Sequence, residues 1–265
     1  MTDRYADMFA RCASRREGAF GAFVMLGDPD LETSAVVLDA LVEGGADMLE
    51  VGIPFSDPVA DGPVIQAAAQ RALAQGVTPP DCLRLLGQFR ARHADVPVGI
   101  LTYANLVVSP GRHAFYAASA KAGVDSVLVA DVPSLEVEPF AAAARAHGVA
   151  PVLIAAPNTP EPTLARIAVL GGGYTYCVAR SGVTGADRAM ELDHGGLFAT
   201  LACHGAPPPV LGFGISTPDH VRAALGGGAA GVISGSAIVA LLEQGSLAAV
   251  RDFVKEMKAA TRGSG

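Results

Sequence analysis

The chain has 265 residues, of which 51% are hydrophobic and 17% are charged, which allows a large core and excludes a disordered chain. Its formal net charge of -7 leaves no excess of Lys and Arg for a nucleic acid or an anionic membrane surface, so neither is expected as a partner. The first residues lack the apolar core of a secretion signal, and we expect a cytoplasmic protein with a single domain over residues 1–265.

The predicted elements form a repeated helix–strand unit along the chain. Residues up to 15 predict an extra N-terminal helix, and a buried strand follows at 22–26. Glycine ends helices readily because it adopts the left-handed backbone conformation without a Cβ clash. Such helix ends, each followed by a short strand, are predicted at Gly44, Gly123, Gly148 and Gly228. The remaining predicted elements are strands at 96–101, 174–178 and 210–213 and a last helix at 246–261.

About eight apolar strands alternate with helices, a pattern typical of a parallel sheet covered by helices on both faces. Eight strands close a (β/α)8 barrel. An open doubly wound sheet is the alternative, but the first strand is not followed by a GxGxxG turn. The uncharged stretch 223–242 is divided by five glycines, which favours barrel segments over a membrane span. We predict an α/β fold, a single TIM barrel with the extra N-terminal helix and long loops after strands 2 and 6.

The chain offers few side chains for metal or covalent chemistry. The histidines lack metal-ligand spacing, and the cysteines form no CxxC pair, so no metal site and no disulfide are expected. Each cysteine is expected to be a small buried hydrophobe; they are Cys12, Cys82, Cys177 and Cys203. All three lysines lie in predicted helices, so no strand end offers a Schiff-base nucleophile.

Two glycine-rich turns follow the last two predicted strands. They contain Gly214 in the first turn, and Gly235 and Ser236 in the second. Glycine lets the backbone approach a phosphate closely, and helix N-termini offer free N–H donors. Such turns after the last two strands bind phosphate in many TIM barrels, although each turn alone could be an ordinary tight connection. Gly185, in the stretch 180–193, could add a third donor.

Two acidic residues stand out in the first half of the chain. Glu50 lies within an apolar strand, where an unpaired carboxylate is costly. Asp61 follows after a turn-rich loop and precedes a helix. The alternatives are a structural ion pair for Glu50 and a helix N-cap for Asp61. Without a lysine or a metal, the remaining chemistry is acid–base catalysis by carboxylates on a phosphorylated substrate that supplies its own electron sink.

The run 50–62 with Gln66 is similar to the signature of tryptophan synthase alpha subunits. Segments 173–185, 212–217 and 233–239 also resemble that family, and the similarity covers essentially the whole chain. The resemblance implies a carbon–carbon lyase of tryptophan biosynthesis that cleaves indole-3-glycerol phosphate by a retro-aldol reaction. It also implies no cofactor in this chain, because pyridoxal phosphate belongs to the partner beta subunit, which receives the indole in an α2β2 assembly.

The resemblance assigns expected roles to individual residues. Glu50 would be the proton shuttle with a raised pKa, Asp61 would stay ionised and hold the indole N–H, and Tyr176 would line the site near Glu50. The substrate would contact Phe23, Ile65, Leu101, Tyr103, Leu128, Thr184, Phe213 and Ile233. The phosphate would bind at Gly185, Gly214, Gly235 and Ser236. The beta subunit would face Pro54, Asp57, Asn105, Asp131 and Pro133.

Two other functions fit the same residues. The first is a stand-alone indole-3-glycerol phosphate lyase that releases indole without a partner. The second is a non-catalytic barrel that binds a phosphorylated ligand, although Glu50 and Asp61 argue against it.

Overall fold

A computed structural model of the chain describes residues 3–178 and 194–262. Its sheet consists of parallel strand segments. They are β1 (Ala19–Met25), β2 (Met48–Gly52), β3 (Val98–Thr102), β4 (Ser126–Val129), β5 (Ala150–Pro151), β6 (Leu153–Ala155), β7 (Thr175–Val178), β8 (Pro209–Gly212) and β9 (Gly231–Ser234). Their order in the sheet is β5-β4-β3-β2-β1-β9-β8-β7-β6.

The sheet closes into a barrel through β5 and β6. These segments stand at opposite ends of the order, yet only Val152 separates them in the chain. The Val152 N–H donates to the Val127 carbonyl at 3.0 Å, which continues the pairing with β4. Pro151 has no N–H to donate, in keeping with a break in the ladder at this point. The two segments therefore form one strand, and the predicted eight-stranded TIM barrel is confirmed.

Helices surround the barrel. They are α1 (Arg4–Ser14), α2 (Leu31–Glu43), α3 (Pro63–Ala74), α4 (Pro79–Arg92), α5 (Ala104–Val108), α6 (Arg112–Lys121), α7 (Glu138–Ala146), α8 (Glu161–Leu170), α9 (Gly195–Cys203), α10 (Pro218–Gly226), α11 (Ser236–Glu243) and α12 (Leu247–Ala259). The stretch 223–242 is divided among α10, β9 and α11, as predicted. Within the described ranges, no helix combines the length and apolar composition of a membrane span.

Glycines end the helices as the sequence predicts. Gly123, Gly148 and Gly228 have φ values of 78°, 71° and 101°. At the first junction the left-handed residue is Gly45, with φ 101°, one position after the predicted Gly44. In this region of backbone space a side chain other than hydrogen is strained, so these positions favour glycine.

Two apolar cores lie on the two sides of the sheet. In β1, Phe20 and Val24 belong to the outer core between strands and helices, whereas Phe23 and Met25 belong to the inner core of the barrel. This alternation of faces explains why every residue of the strand is buried. Met8 of α1 is also in the inner core, so the extra N-terminal helix closes one end of the barrel.

The cysteines are only partly as expected. Cys12, Cys82 and Cys177 are buried. Cys203 is exposed in the last turn of α9, so the expectation of a buried residue is wrong there. A helix with a narrow apolar face leaves its other positions to solvent, whatever their hydrophobicity.

Candidate active site

Glu50 lies in the middle of β2 and is 2% exposed. Its neighbours Leu49 and Val51 belong to the outer core, so the strand alternation directs Glu50 into the barrel. The Tyr174 hydroxyl donates a hydrogen bond to Glu50 Oε1 at 2.7 Å. Among the described residues, no Arg, Lys or His forms an ion pair with Glu50. The alternative of a structural ion pair is therefore not supported in this part of the chain.

Burial sets the protonation of Glu50. Loss of hydration raises the pKa of its carboxyl to about 7, the Tyr174 hydrogen bond lowers it, and the negative charge of Asp61 raises it. The direction of the predicted shift is confirmed. Near neutral pH the side chain therefore populates both its acid and its carboxylate form, as a group that gives and takes a proton requires.

Asp61 ends the loop between β2 and α3 and is 9% exposed. Its carbonyl accepts from Gln66 Nε2 at 2.8 Å. Gly62 occupies the N-cap of α3, so the Asp61 carboxylate is not a helix cap. Burial raises the pKa of Asp61, while the facing Tyr103 hydroxyl lowers it. The Asp61 carboxylate therefore faces the Tyr103 hydroxyl and has no capping role in α3.

Three tyrosines surround the two carboxylates. Tyr176 on β7 is buried, and its ring meets the Phe213 ring edge-on at 5.8 Å between centroids. Burial raises the pKa of Tyr176, and the charges of Glu50 and Asp61 raise it further, which places the Tyr176 hydroxyl near both carboxylates. The Tyr103 hydroxyl accepts from the Ala60 N–H at 3.3 Å and so holds the loop that carries Asp61.

Tyr174 is the residue that sequence reasoning missed. Tyr176 was predicted to line the site near Glu50, and Tyr174, which was not predicted, donates the hydrogen bond to Glu50. Tyr174 and Tyr176 are two positions apart and belong to the same inner core. Period-two alternation along the strand could have identified both tyrosines together.

The predicted substrate-binding side chains come together inside the barrel. Phe23, Ile65, Leu128 and Ile233 belong to the inner core, with Leu101 and Phe213 packed against it. Tyr103 is buried beside Asp61, as described above. Thr184 lies outside the described residues, and so does Gly185.

The two glycine-rich turns follow the neighbouring strands β8 and β9. Phe213 and Gly214 both have left-handed backbones, with φ values of 63° and 75°. Gly235 is the N-cap of α11, and no side-chain cap is formed there in the described structure. Gly214 and Ser236 are exposed. The first N–H groups of α11 thus lie open at its positive end, which suits an anion.

Four of the five predicted partner residues are accessible. Asp57, Asn105, Asp131 and Pro133 are exposed, and Asp131 Oδ1 accepts from the Ala104 N–H at 2.7 Å. Pro54 is buried in the single chain and offers no free surface. These residues lie in the segments that follow β2, β3 and β4.

A closed barrel with two buried carboxylates inside it, and with open helix and turn N–H groups after its last strands, defines a TIM-barrel enzyme for a small phosphorylated substrate. Comparison with known proteins narrows this class. A family model described as tryptophan synthase alpha chain matches residues 9–263. The chain belongs to the tryptophan synthase alpha chain family.

Individual relatives agree with the family. The tryptophan synthase alpha chain of Escherichia fergusonii is 54% identical, over 98% of this chain and 99% of its own length. That of Klebsiella pneumoniae subsp. pneumoniae is 53% identical with the same coverage. A solved structure from Aquifex aeolicus has a TM-score of 0.90 at 34% identity, covering 99% of this chain and 100% of its own. A chain of Mycobacterium tuberculosis tryptophan synthase has a TM-score of 0.90 at 29% identity and full coverage of both chains.

Family membership decides between the three functions left open by the sequence. Alpha chains of tryptophan synthase are lyases that cleave indole-3-glycerol phosphate. They carry no cofactor, because pyridoxal phosphate belongs to the beta subunit with which they pair. The subunit interpretation is thus favoured over a stand-alone lyase and over a non-catalytic barrel.

Proposed function

We propose that the chain acts as the alpha subunit of a tryptophan synthase and that Glu50 moves the proton in its retro-aldol reaction. The observation that carries this proposal is a carboxyl group buried in the barrel, bonded to one tyrosine, with a pKa raised to about 7. Stability alone does not explain a buried carboxyl that has no cationic partner among the described residues.

The reaction adds a proton to one substrate atom and removes a proton from another. Carbon 3 of the indole ring gains a proton, and the hydroxyl on the adjacent side-chain carbon loses one. The carbon–carbon bond then breaks, its electrons return to the ring, and indole and glyceraldehyde 3-phosphate are released. Glu50 can serve both steps in turn, giving its proton to the ring carbon as the acid and taking the hydroxyl proton as the carboxylate.

Asp61 would stabilise the positive charge that develops on the ring nitrogen. A buried anion aimed at a developing charge is strongest where water is excluded. Asp61 is 9% exposed; burial raises the pKa of its carboxyl, and the Tyr103 hydroxyl opposes that rise by favouring the ionised form. Tyr176, close to both carboxylates, would orient the substrate between them.

The apolar side chains would hold the indole ring, and the glycine turns would hold the phosphate. Phe23, Leu128 and Ile233 offer apolar walls in the inner core. Gly214, Gly235 and Ser236 present their N–H groups at the α11 end of the barrel. The predicted contributions of Thr184 and Gly185 stay predictions, since both lie outside the described residues.

The beta subunit would bind to the loops after β2, β3 and β4. Exposed large apolar side chains are found in these three segments, and they suit a partner surface better than solvent. They are Val59 at 70% exposure, Val108 at 46% and Leu135 at 78%. The exposed Asp57, Asn105, Asp131 and Pro133 would form the polar part of the same surface. We place this α2β2 assembly in the cytoplasm.

Release of indole from indole-3-glycerol phosphate by the purified full chain tests the proposal. Glu50→Gln should lower kcat by about a thousandfold, and Asp61→Asn by about a hundredfold. Glu43→Gln is the matched control, because Glu43 lies on the surface in an ion pair with Arg251. Unchanged turnover in both site variants would overturn the mechanism.

A further inference from the structure

The proposed phosphate site is built from two separate turns. Gly214 follows β8, whereas Gly235 and Ser236 follow β9. A single phosphoryl group can bind N–H donors from both turns only if the turns keep a fixed distance and orientation. Errors of a fraction of an ångström weaken such hydrogen bonds steeply.

Ser234, the last residue of β9, joins the two turns. Its side chain is fully buried, and its Oγ donates to the Ile215 carbonyl at 2.6 Å, across 19 positions of the chain. Ile215 directly follows Gly214, and Ser234 directly precedes Gly235. The hydrogen bond therefore connects the residue after Gly214 with the residue before Gly235.

The Gly214 turn needs support from its surroundings. Phe213 has a φ of 63°, a left-handed conformation that costs about 1 kcal/mol or more for a residue with a Cβ. Such a conformation persists when neighbouring contacts hold it in place. The Phe213 ring rests against Tyr176, and the Ser234 hydroxyl holds the carbonyl two residues further on.

We propose that Ser234 is a positioning residue for the substrate phosphate: through the Ile215 carbonyl it holds the Gly214 turn in register with the N-terminus of α11. The inference rests on the proposed function, because the ligand is the phosphate of that substrate. Ser234 touches no substrate itself, since its hydroxyl is directed at the backbone and is fully buried.

The test separates binding from turnover in Ser234→Ala. The KM for indole-3-glycerol phosphate should rise about tenfold, the effect of losing one buried hydrogen bond that sets binding geometry. The inhibition constant of inorganic phosphate should rise by a similar factor, whereas kcat should change less than about threefold, because the lost interaction is made equally with substrate and transition state.

Ser119→Ala is the matched control. Ser119 is also fully buried, and its Oγ donates to the Phe115 carbonyl at 2.9 Å, but it lies on α6 outside the barrel. Its loss should lower the Tm by a similar amount and leave KM and phosphate inhibition unchanged. Ser234→Cys keeps most of the side-chain volume with a weak donor. It should also weaken phosphate inhibition, and it serves if Ser234→Ala does not fold.

Three results would overturn the inference. The first is unchanged KM and phosphate inhibition in a folded Ser234 variant. The second is an equal change in Ser119→Ala. Either result would overturn the role of Ser234 alone. The proposed function would still hold if the wild-type chain releases indole and is inhibited by phosphate. The third is a wild-type chain that neither releases indole nor responds to phosphate, which would overturn the proposed function as well.

Discussion

Burial of Glu50 opposes folding in a way that depends on pH. The pKa of its carboxyl rises from an ordinary value of 4.5 to about 7, so between these values the folded chain binds more protons than the unfolded chain. Below about pH 4.5 Glu50 is protonated in both states, and its contribution to stability is fully present. This contribution is lost as the pH rises through 7, because the buried carboxyl must then ionise.

Glu50→Gln should remove this loss. At pH 8 we expect the variant to have a free energy of unfolding about 3 kcal/mol above that of the wild type, and near pH 4 the two should be equal. Urea denaturation across this range measures the difference, with Glu43→Gln as the surface control. Parallel curves for wild type and Glu50→Gln would contradict the raised pKa.

Tyr174 acts against that shift. Its hydroxyl donates to Glu50 and lowers the pKa of the carboxyl. Tyr174→Phe should therefore raise the pKa of Glu50 further, and the pH at which the Glu50 contribution to stability is lost should rise with it. Tyr176→Phe, at an inner-core tyrosine with no hydrogen bond to Glu50 in the described structure, should leave that pH unchanged. A downward shift in Tyr174→Phe would contradict this assignment.

The sequence predicted which residue carries the chemistry, but it did not predict which side chains contact that residue. A carboxylate within an apolar strand signals Glu50 directly, and the absence of other chemistry narrows its role. The hydrogen bond from Tyr174 joins residues 124 positions apart, and the Ser234 hydrogen bond joins the end of β9 to the turn after β8. Such pairs become visible only when the neighbouring strands and their register are known.

The pairing of β7 with β8 sets the position of Tyr176. Val178 lies beside Gly212 in the register, and the Tyr176 side chain lies across Gly212 on the inner face. A Cβ at position 212 would overlap the Tyr176 hydroxyl. Position 212 therefore requires glycine because the Tyr176 side chain on the neighbouring strand leaves no space for a Cβ. The backbone of Gly212 is not left-handed, so its φ angle does not impose this requirement.

Gly212→Ala should displace Tyr176. We expect kcat/KM to fall by about a hundredfold, since small displacements of positioned groups have effects of this size, and stability to fall by about 1–3 kcal/mol from overpacking. Gly87→Ala is the control, because a Cβ there meets open space on α4. It should raise stability by up to about 1 kcal/mol. Equal activities in the two variants would contradict the role of Tyr176.

Element type was predictable, while element detail was not. Helix-ending glycines and apolar runs predict the repeated unit correctly, because each signal lies within a few residues. The split of one strand at Val152 was not predicted, since it depends on which neighbour each half pairs with. The N-cap of α3 was left open by the sequence, and the structure assigns it to Gly62.

Closure of the barrel brings distant parts of the chain to one site. α1, at the start of the chain, places Tyr5 against Tyr174 at 5.4 Å between ring centroids, and the Tyr5 hydroxyl is 2.8 Å from Ser126 Oγ. Tyr5 of α1 thus packs against Tyr174, whose hydroxyl donates to Glu50. The number of predicted strands indicated a closed barrel. The contact between Tyr5 and Tyr174 was not predicted, because it depends on how α1 packs against the end of the barrel.

The surface proposed for the beta subunit can be tested on the whole molecule. Asp131→Ala removes an exposed carboxylate and frees the Ala104 N–H that it holds. The affinity for a beta subunit, measured by isothermal titration calorimetry, should fall about tenfold. Asp252→Ala, exposed on α12, should leave it unchanged. Equal affinities in both variants would remove Asp131 from the interface.

Titration of the Glu50 carboxyl in the intact chain tests its role as the proton carrier most directly. Carbon-13 NMR of glutamate labelled at the side-chain carboxyl would follow its ionisation, with Glu50→Gln identifying the resonance. We expect a midpoint near pH 7, the value to which burial in the barrel raises the pKa of this group. A midpoint near the ordinary value of 4.5 would show a solvated carboxylate and contradict the proposed proton transfer.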